Sequence, residues 1–147
     1  MLEVLIKTFE ELSINELYQI LQLRSEVFVV EQDCVYQDID GKDQKALHIL
    51  GYKDDVLVAY TRCFEQGFYF EEAAIGRVIV KENYRKFGYG HEILEASIKA
   101  IEERYKTTRI KLSAQQYLID FYESHGFKTT GEGYLEDGIP HIAMVKE

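Results

Sequence analysis

Two cations and two glycines lie close together between residues 85 and 90, and their spacing suits the binding of an anion. The stretch reads Arg85-Lys86-Phe87-Gly88-Tyr89-Gly90, and it follows an apolar, β-branched run, 73–80, that predicts a strand. After Gly90 apolar residues recur at three- and four-residue steps, which predicts a helix. The first amides of a helix lack intrahelical partners, and glycine lets an anion approach them closely. The sequence therefore predicts a phosphate-binding loop between a strand and a helix.

Other phosphate-binding loops fit these residues less well. The dinucleotide fingerprint requires a third glycine where this chain has Ile93, and no Gly-Lys-Ser/Thr follows as in nucleoside triphosphatases. The alternative without a ligand is a strand-turn-helix whose glycines only tighten the turn. The agreement of the glycines, the cations, the strand and the helix favours the anion site.

A tyrosine in the second half of the chain is the strongest candidate for proton transfer. Tyr122 lies in a predicted short helix that follows the strand 109–113, so its hydroxyl can point into the gap between that strand and the strand 73–80. Open α/β sheets bind their ligands in such gaps. The alternative is an aromatic ring packed under the sheet, since the chain contains 11 tyrosines.

An acidic stretch, 31–43, raises the question of calcium. The letters Asp38-Ile39-Asp40-Gly41 resemble part of an EF-hand loop, but the alignment puts Tyr36 at the first ligand position and Leu47 at the last. The match fails at both anchors, so we expect no metal site. We expect a solvated acidic loop, and the functional alternative is a loop beside a binding cleft that receives cations.

The composition limits the class of protein and its partners. The chain has 147 residues, 46% of them hydrophobic, and a net charge of −9, which predicts one globular domain (1–147) and argues against a nucleic-acid partner. No apolar run approaches membrane-spanning length, and the start lacks the basic residues of a signal peptide. Cys34 and Cys63 do not have the spacing of a disulfide framework or of a zinc site. We therefore expect a cytoplasmic protein with no membrane partner. The negative potential favours a cationic second substrate, although acidic surfaces also merely keep proteins soluble.

The elements that must position these residues alternate between strands and helices. Hydrophobic periodicity predicts strands 2–9, 45–52, 56–64, 73–80, 109–113, 127–132 and 139–146, with a loop at 133–138. It predicts a helix that Ser13 and Glu16 cap, running to about Glu31 with a break near Ser25. Two further helices follow Gly90 and span 116–125, the latter stopped by Gly126. This order is typical of an α/β domain built on one mixed sheet.

Several motifs resemble a known family. Arg85-x-x-Gly88-x-Gly90 resembles the pyrophosphate loop of the GNAT N-acetyltransferase superfamily, although Lys86 stands where many members have glycine. The pattern Phe121-Tyr122-x-x-x-Gly126-Phe127 is also similar to that superfamily. The stretches 23–40, 46–48, 75–78, 113–115 and 136–144 resemble its ElaA-like branch and, together with the loop, run over nearly the whole chain.

The resemblance implies a fold and an activity. The GNAT fold is one mixed, mostly antiparallel sheet of about seven strands with helices on both faces, whose fourth and fifth strands splay into a V. Acetyl-CoA enters this V from one side, and a primary amine, on a small molecule or a peptide, enters from the other. Members lack a firmly assigned acceptor, so the identity of the amine is left open. The sequence also leaves the oligomeric state open, monomer or homodimer. A non-catalytic acyl-CoA sensor on the same fold is the alternative.

The resemblance also implies which residues hold the cofactor. Strand amides around Val78 and Val80 hold the pantetheine arm and polarise the thioester carbonyl. Amides of the loop hold the pyrophosphate, and Tyr122 protonates the departing thiolate. Gln115 stands where many relatives outside this branch have an asparagine. The full cofactor set is Val78, Ile79, Val80, Arg85, Lys86, Phe87, Gly88, Tyr89, Gly90, His91, Gln115, Phe121 and Tyr122.

The attacking amine must be neutral, so a proton acceptor or a chain of waters is needed. Glu31 and His141 are the candidates, although Glu31 is also suited to bind backbone amides of the following loop, and His141 to a structural role in a sheet. The full acceptor-side set is Arg24, Phe28, Glu31, His48, Arg77 and His141. For Arg24 and Arg77, an ion pair with one of the many carboxylates explains the residue equally well.

Overall fold

Seven strands form one mixed sheet in the computed structural model, which describes residues 1–147. The strands are β1 (Glu3–Thr8), β2 (Leu47–Lys53), β3 (Val56–Phe64), β4 (Ala73–Val80), β5 (Ile110–Gln115), β6 (Lys128–Glu136) and β7 (Ile139–Lys146). Their order across the sheet is β1-β2-β3-β4-β5-β7-β6, and only β4 and β5 run parallel to each other. The predicted mixed, mostly antiparallel sheet of seven strands is confirmed.

Three helices accompany the sheet. They are α1 (Ile14–Arg24), which continues as a π-helical segment (Ser25–Glu31), α2 (Tyr89–Tyr105) and α3 (Ile119–Glu123). Ser13 Oγ accepts a hydrogen bond from the amide of Glu16 at 3.0 Å, and the Glu16 carboxylate accepts from the amide of Ser13 at 2.8 Å, so the predicted cap is confirmed. The break near Ser25 is confirmed by the change to π-helical bonds, such as Gln32 N–H to Val27 O at 3.2 Å. None of the helices combines the length and the apolar character that crossing a bilayer requires.

The helices cover both faces of the sheet because each carries one apolar stripe. On α2, Ile93, Leu94 and Ile101 are completely buried in the larger core, together with α3 and one face of the strands. On α1, Ile20 and Leu23 belong to a smaller core on the opposite face. Burial of each such side chain stabilises the fold by about 1.5–3 kcal/mol.

The two central strands separate soon after they meet. β4 and β5 pair only at Ala73 with Ile110 and at Ala74 with Lys111. Beyond these pairs β4 continues to Val80 and β5 to Gln115, with no ladder between them. The predicted splay of the fourth and fifth strands is confirmed, and the gap lies at the carboxyl ends of both strands.

The largest differences from the predicted boundaries lie in the second half of the chain. Residues 133–138 do not form a loop, because β6 runs on to Glu136 and only Asp137 and Gly138 make the turn into β7. Both turn residues have positive φ, 51° and 78°, as a two-residue hairpin turn requires. A register shift between Thr130 and Tyr134 absorbs the glycines that suggested a loop. The helix 116–125 is a 3₁₀ turn (Gln116–Leu118) followed by α3, and Gly126 stops it at φ 93°, as predicted.

Candidate active site

The gap between β4 and β5 opens into a continuous cavity of about 860 Å³. Its walls come from β4, from the loop before α2, from β5 and α3, and, on the opposite side, from the π-helical segment and the β6–β7 turn. A cavity of this volume is typical of a small-molecule site.

The predicted phosphate loop ends in unpartnered amides. Gly88 precedes α2 with φ 78°, a left-handed conformation that glycine adopts without steric cost. None of the backbone N–H groups from Lys86 to His91 donates a hydrogen bond to an acceptor of the chain. A Cβ added to Gly88 would meet no atom within 4 Å, so open space lies in front of the loop. The loop is therefore suited to an anion, as predicted, although the side chains of Lys86 and Phe87 lie outside the cavity.

Arg85 connects this loop to two other parts of the wall. Its Nε–H donates to the carbonyl of Val80 at 2.8 Å, and its Nη1 and Nη2 atoms donate to the carboxylate of Glu31 at 2.5 and 2.8 Å. The hydrogen bonds with Glu31 raise the pKa of Arg85 above its ordinary value. Glu31, a predicted proton acceptor, thus lines the cavity but is bound to an arginine.

Two histidines and a glutamate form a hydrogen-bonded chain beside the loop. His91 Nδ1 lies 2.8 Å from His125 Nε2, and His125 Nδ1 lies 2.5 Å from a carboxylate oxygen of Glu95. A carboxylate only accepts, so Nδ1 of His125 carries a proton, and in the neutral rings Nε2 of His125 accepts from His91. The ring of Phe121 packs against both imidazoles, with centroids 4.8 and 5.4 Å away. These hydrogen bonds hold His91 at the wall of the cavity.

Tyr122 is almost completely buried, with 5% of its surface exposed, yet it lines the cavity. Its hydroxyl makes no hydrogen bond with the chain, and the only fully occluded side-chain polar atom without a partner is Nε of Arg62. The Tyr122 hydroxyl is therefore open to the cavity. Burial raises the pKa of this phenol well above its ordinary value of 10. The phenol thus stays protonated, as an acid must before it donates.

His141 lies on β7 opposite Gln115 of β5, and both residues line the cavity. Its Nδ1 lies 2.7 Å from the carbonyl of Ile139, which only accepts, so Nδ1 carries the proton. In the neutral ring Nε2 is then the basic nitrogen, and a carboxylate oxygen of Glu136 lies 3.5 Å from it. This arrangement suits a proton acceptor whose cationic form a carboxylate stabilises.

The acidic stretch is a loop, but most of its aspartates are paired with arginines, so the prediction of a solvated acidic loop is wrong. Its position beside the cavity, which Cys34, Tyr36 and Gln37 line, agrees with the alternative. Three of its four aspartates bind three arginines from α1, β3 and β4, in the pairs Arg24–Asp38, Arg24–Asp43, Arg62–Asp40, Arg62–Asp43, Arg77–Asp38 and Arg77–Asp40, at 2.7 to 3.4 Å. Burial raises the pKa of Asp40, but the hydrogen bonds and charge of Arg62 outweigh it and lower that pKa to about 2. Buried charges persist in proteins when they are paired in this way.

Two residues predicted on the acceptor side do not reach the cavity. Arg24 is completely buried, and its guanidinium is bound to Asp38 and Asp43. His48 is also completely buried, with Nδ1 2.6 Å from the hydroxyl of Tyr60 and Nε2 2.9 Å from the carbonyl of Asp43. Burial lowers the pKa of His48 below 6.5. Both side chains therefore belong to the ion-pair cluster, and the prediction that they face the substrate is wrong.

Apart from Lys86 and Phe87, the remaining predicted residues lie at the cavity. Those that line it are Phe28, Glu31, Arg77, Val78, Ile79, Val80, Arg85, Gly88, Tyr89, Gly90, His91, Gln115, Phe121, Tyr122 and His141. An aromatic wall of the cavity, formed by Phe64, Tyr69 and Phe70, was not predicted from the sequence. Four aromatic residues fall within 64–70, and this density was the available indication.

Comparison with known proteins agrees with this geometry. Residues 8–147 match the sequence profile of the family described as "Acetyltransferase (GNAT) domain". Protein ElaA of Escherichia coli (strain K12) is 46% identical over 139 residues, which cover 93% of this chain and 91% of ElaA. The crystal structure of Escherichia coli ElaA superposes with a TM-score of 0.93 at 44% identity and covers all of both chains.

Two further solved structures are similar. An acyl-CoA N-acyltransferase from Pseudomonas aeruginosa has a TM-score of 0.93 and 39% identity, over 99% of both chains. A GNAT family acetyltransferase from Elizabethkingia anophelis, solved with acetyl-CoA bound, has a TM-score of 0.66 at 13% identity, over 99% of this chain and 97% of its own, so it shares the fold alone. The chain therefore belongs to the GNAT acetyltransferase family, in its ElaA-like branch.

Proposed function

We propose that this chain is a cytoplasmic N-acetyltransferase that transfers the acetyl group of acetyl-CoA directly to a primary amine in a ternary complex. One observation carries the proposal. A single cavity, at the place where β4 leaves β5, contains both the unpartnered amides that end at His91 and the free hydroxyl of Tyr122. A diphosphate needs the amides, and a departing thiolate needs the acid.

The cofactor end of the cavity fits acetyl-CoA. The amides from Lys86 to His91 would hold the pyrophosphate, with His91 beside them at the start of α2. The edge of β4 that carries Val78 and Val80 has no strand partner on the β5 side, so its N–H groups are available to the thioester oxygen and to pantetheine, whereas the carbonyl of Val80 already accepts from Arg85. The bound cofactor supplies the activated acetyl carbon.

Two side chains would move the protons. His141 accepts a proton from the attacking amine at Nε2, and Glu136 stabilises the resulting imidazolium. As the new C–N bond forms and the C–S bond breaks, Tyr122 would donate its proton to the sulfur, and the second proton, which the nitrogen loses as it becomes an amide, would return to Tyr122 through solvent. The raised pKa of Tyr122 keeps this proton in place at neutral pH. No covalent acyl-enzyme is required.

The charge on the side of the cavity that the π-helical segment and the β6–β7 turn form supports a cationic amine. Three carboxylates line the cavity, those of Glu31, Glu136 and Asp137. Arg85 neutralises Glu31, whereas no arginine or lysine pairs with Glu136 or Asp137. We propose that these two residues attract the protonated amine, on a small molecule or a peptide, before His141 receives its proton.

A panel of amines tests the proposal. Each amine is incubated with acetyl-CoA and the protein, and release of free thiol is recorded, while thermal melting with CoA reports binding independently. We expect at least one amine to release thiol and CoA to raise the melting temperature. A melting shift without thiol release for any amine would favour the non-catalytic acyl-CoA sensor. The absence of a shift would contradict a CoA site altogether.

A further inference from the structure

One residue of β4 has a backbone conformation that strands do not use. Arg77 has φ 50°, in the left-handed region, although it lies in the middle of the strand. Pairing with β3 skips at this point, because Tyr60 pairs with Ile79 while Arg62 pairs with Gly76. A single β3 residue therefore faces two residues of β4, which is a β-bulge.

The bulge lies where β4 turns away from β5. The last pair between these strands is at Ala74, and the cavity begins beside the residues that follow it. A bulge bends its strand and increases its twist, so this bulge contributes to the opening of the gap. The segment proposed to polarise the thioester, 78–80, begins immediately after Arg77.

The choice of residue at this position calls for an explanation. Glycine adopts a left-handed conformation without steric cost, and the chain has a glycine one residue earlier, at Gly76. A Cβ added to Gly76 would meet no atom within 4 Å, so crowding at the neighbouring position does not force the bulge. The chain nevertheless has arginine where the backbone is strained. Contacts of the Arg77 side chain must therefore offset the conformational energy that the left-handed backbone costs.

The Arg77 side chain is held by the acidic stretch. Its Nε–H donates to a carboxylate oxygen of Asp38 at 2.8 Å, and its Nη2 donates to the backbone carbonyl of Asp38 at 3.0 Å. The ring of Tyr36 lies 5.7 Å from the guanidinium, and the Tyr36 hydroxyl donates to the same carboxylate. Asp38 is itself buried and is held from the other side by Arg24 of α1, at 2.8 Å.

We infer that Asp38 is a positioning residue for acyl transfer, because it holds Arg77 and thereby the β4 bulge that presents residues 78–80 to the thioester. The inference rests on the proposed function. Asp38 does not line the cavity and acts through Arg77. Arg24, which no solvent reaches, fixes Asp38 in turn. The acidic stretch thus serves the geometry of the strand.

A pair of substitutions at one position separates positioning from contact. Arg77→Ala removes the contacts of the side chain but keeps the Cβ, which clashes with the backbone in the left-handed conformation. The backbone is then free to relax out of that conformation. Arg77→Gly removes the same side chain and also removes the conflict, so the bulge is retained. We expect Arg77→Ala and Asp38→Asn to lower kcat by about 10²-fold, the cost of losing one well-placed oxyanion donor. We expect Arg77→Gly to restore most of the loss, and CoA affinity to be unchanged in all three.

A backbone measurement tests the clamp without relying on activity. Amide hydrogen exchange of residues 76–80 in the ligand-free protein should be faster in Arg77→Ala and Asp38→Asn than in Arg77→Gly or the unmodified chain. Lys106 is a matched control. It is also a cationic residue with a left-handed backbone conformation, φ 58°, but it lies at the end of α2. Its alanine and glycine variants should change melting temperature without changing kcat.

Three results would overturn the inference. Equal losses of kcat in Arg77→Ala and Arg77→Gly, with a raised KM for the amine, would make Arg77 a substrate contact. Loss of kcat that only follows melting temperature across all variants would leave Asp38 a structural residue. Unchanged exchange at residues 76–80 in Asp38→Asn would show that no clamp exists. Failure of the unmodified chain to acetylate any amine would instead contradict the proposed function, and the exchange measurement would still decide on the clamp.

Discussion

The guanidinium of Arg85 donates two hydrogen bonds to the carboxylate of Glu31, at 2.5 and 2.8 Å, and thereby joins the phosphate loop to the π-helical segment on the other side of the cavity. The same guanidinium is bound to the carbonyl of Val80 through Nε. Glu31 is therefore occupied and is less suited than His141 to receive a proton. The charge of Arg85 is already neutralised before a pyrophosphate reaches the loop.

Replacing the carboxylate tests this relationship. In Glu31→Gln the positive charge of Arg85 becomes available to the cofactor, so we expect CoA to bind up to about fivefold more tightly, the range of an exposed ion pair. We expect kcat to change little. Calorimetric titration with CoA and steady-state kinetics measure the two quantities. Glu26→Gln, which breaks the exposed pair with Lys81, is the matched control. A kcat that falls by about 10²-fold in Glu31→Gln would assign the proton acceptor to Glu31.

His141→Asn should slow transfer because it removes the basic nitrogen. We expect kcat/KM to fall by roughly 10²–10⁴-fold at neutral pH, with CoA affinity unchanged. The deficit should shrink as the pH approaches about 10, where the amine loses its proton to water without help. Initial rates of thiol release between these two pH values measure the effect. A deficit of equal size at every pH would mean that His141 holds the sheet or the substrate and does not accept the proton.

Gly88→Ala should weaken cofactor binding. The substitution forces a Cβ onto a residue with φ 78° in the unpartnered loop, so we expect the amides to shift and CoA to bind roughly tenfold more weakly, the equivalent of about 1.4 kcal/mol. Gly67→Ala is the matched control, since Gly67 has φ 90° and equally open surroundings but lies outside the cavity. Both variants should lose similar stability, and only Gly88→Ala should lose affinity. Equal CoA affinity in the two variants would contradict the loop as the pyrophosphate site.

The buried His48 should make the free energy of unfolding depend on pH. Burial lowers the pKa of His48 in the folded chain below 6.5, although the hydrogen bond to the Asp43 carbonyl opposes this shift. As the pH falls below 6.5, the unfolded chain therefore takes up the proton first, and the free energy of unfolding decreases. His48→Gln should flatten this part of the curve. Urea unfolding from neutral pH down to about pH 5 measures it, and identical pH dependence in the two proteins would contradict a neutral, buried His48.

The fold could be predicted where local pattern decides it. The bounds of β3, β4 and β7 match the structure, since each is a β-branched or aromatic run between turn residues. The loop at Gly88 and the stop at Gly126 follow from the conformational freedom of glycine. β6 was predicted too short because its continuation past Gly131 and Gly133 depends on pairing with β7, which local propensity does not record.

The site could be predicted only in part, for a related reason. Most of the cofactor side lies in one stretch, 78–91, so these residues fall together along the chain. The acceptor side is assembled from distant residues, and pairs such as Arg77–Asp38 and Glu31–Arg85 are separated by 39 and 54 positions. Charge pairing over such distances leaves no periodic mark in a sequence. Arg24 and His48 were therefore assigned to the cavity, although both are buried among paired charges.

The central claim is that Tyr122 donates a proton to the departing thiolate. Tyr122→Phe removes only the hydroxyl, which makes no hydrogen bond with the chain, so the fold and CoA affinity should be preserved. Tyr117→Phe is the matched control, because Tyr117 also lines the cavity but is 75% exposed.

The most direct test is single-turnover thiol release from acetyl-CoA with an accepted amine, measured for both variants beside CoA affinity. We expect Tyr122→Phe to lose roughly 10²–10⁴-fold in rate with its CoA affinity intact, and Tyr117→Phe to retain its rate. Turnover in Tyr122→Phe equal to that of the unmodified chain would contradict the account.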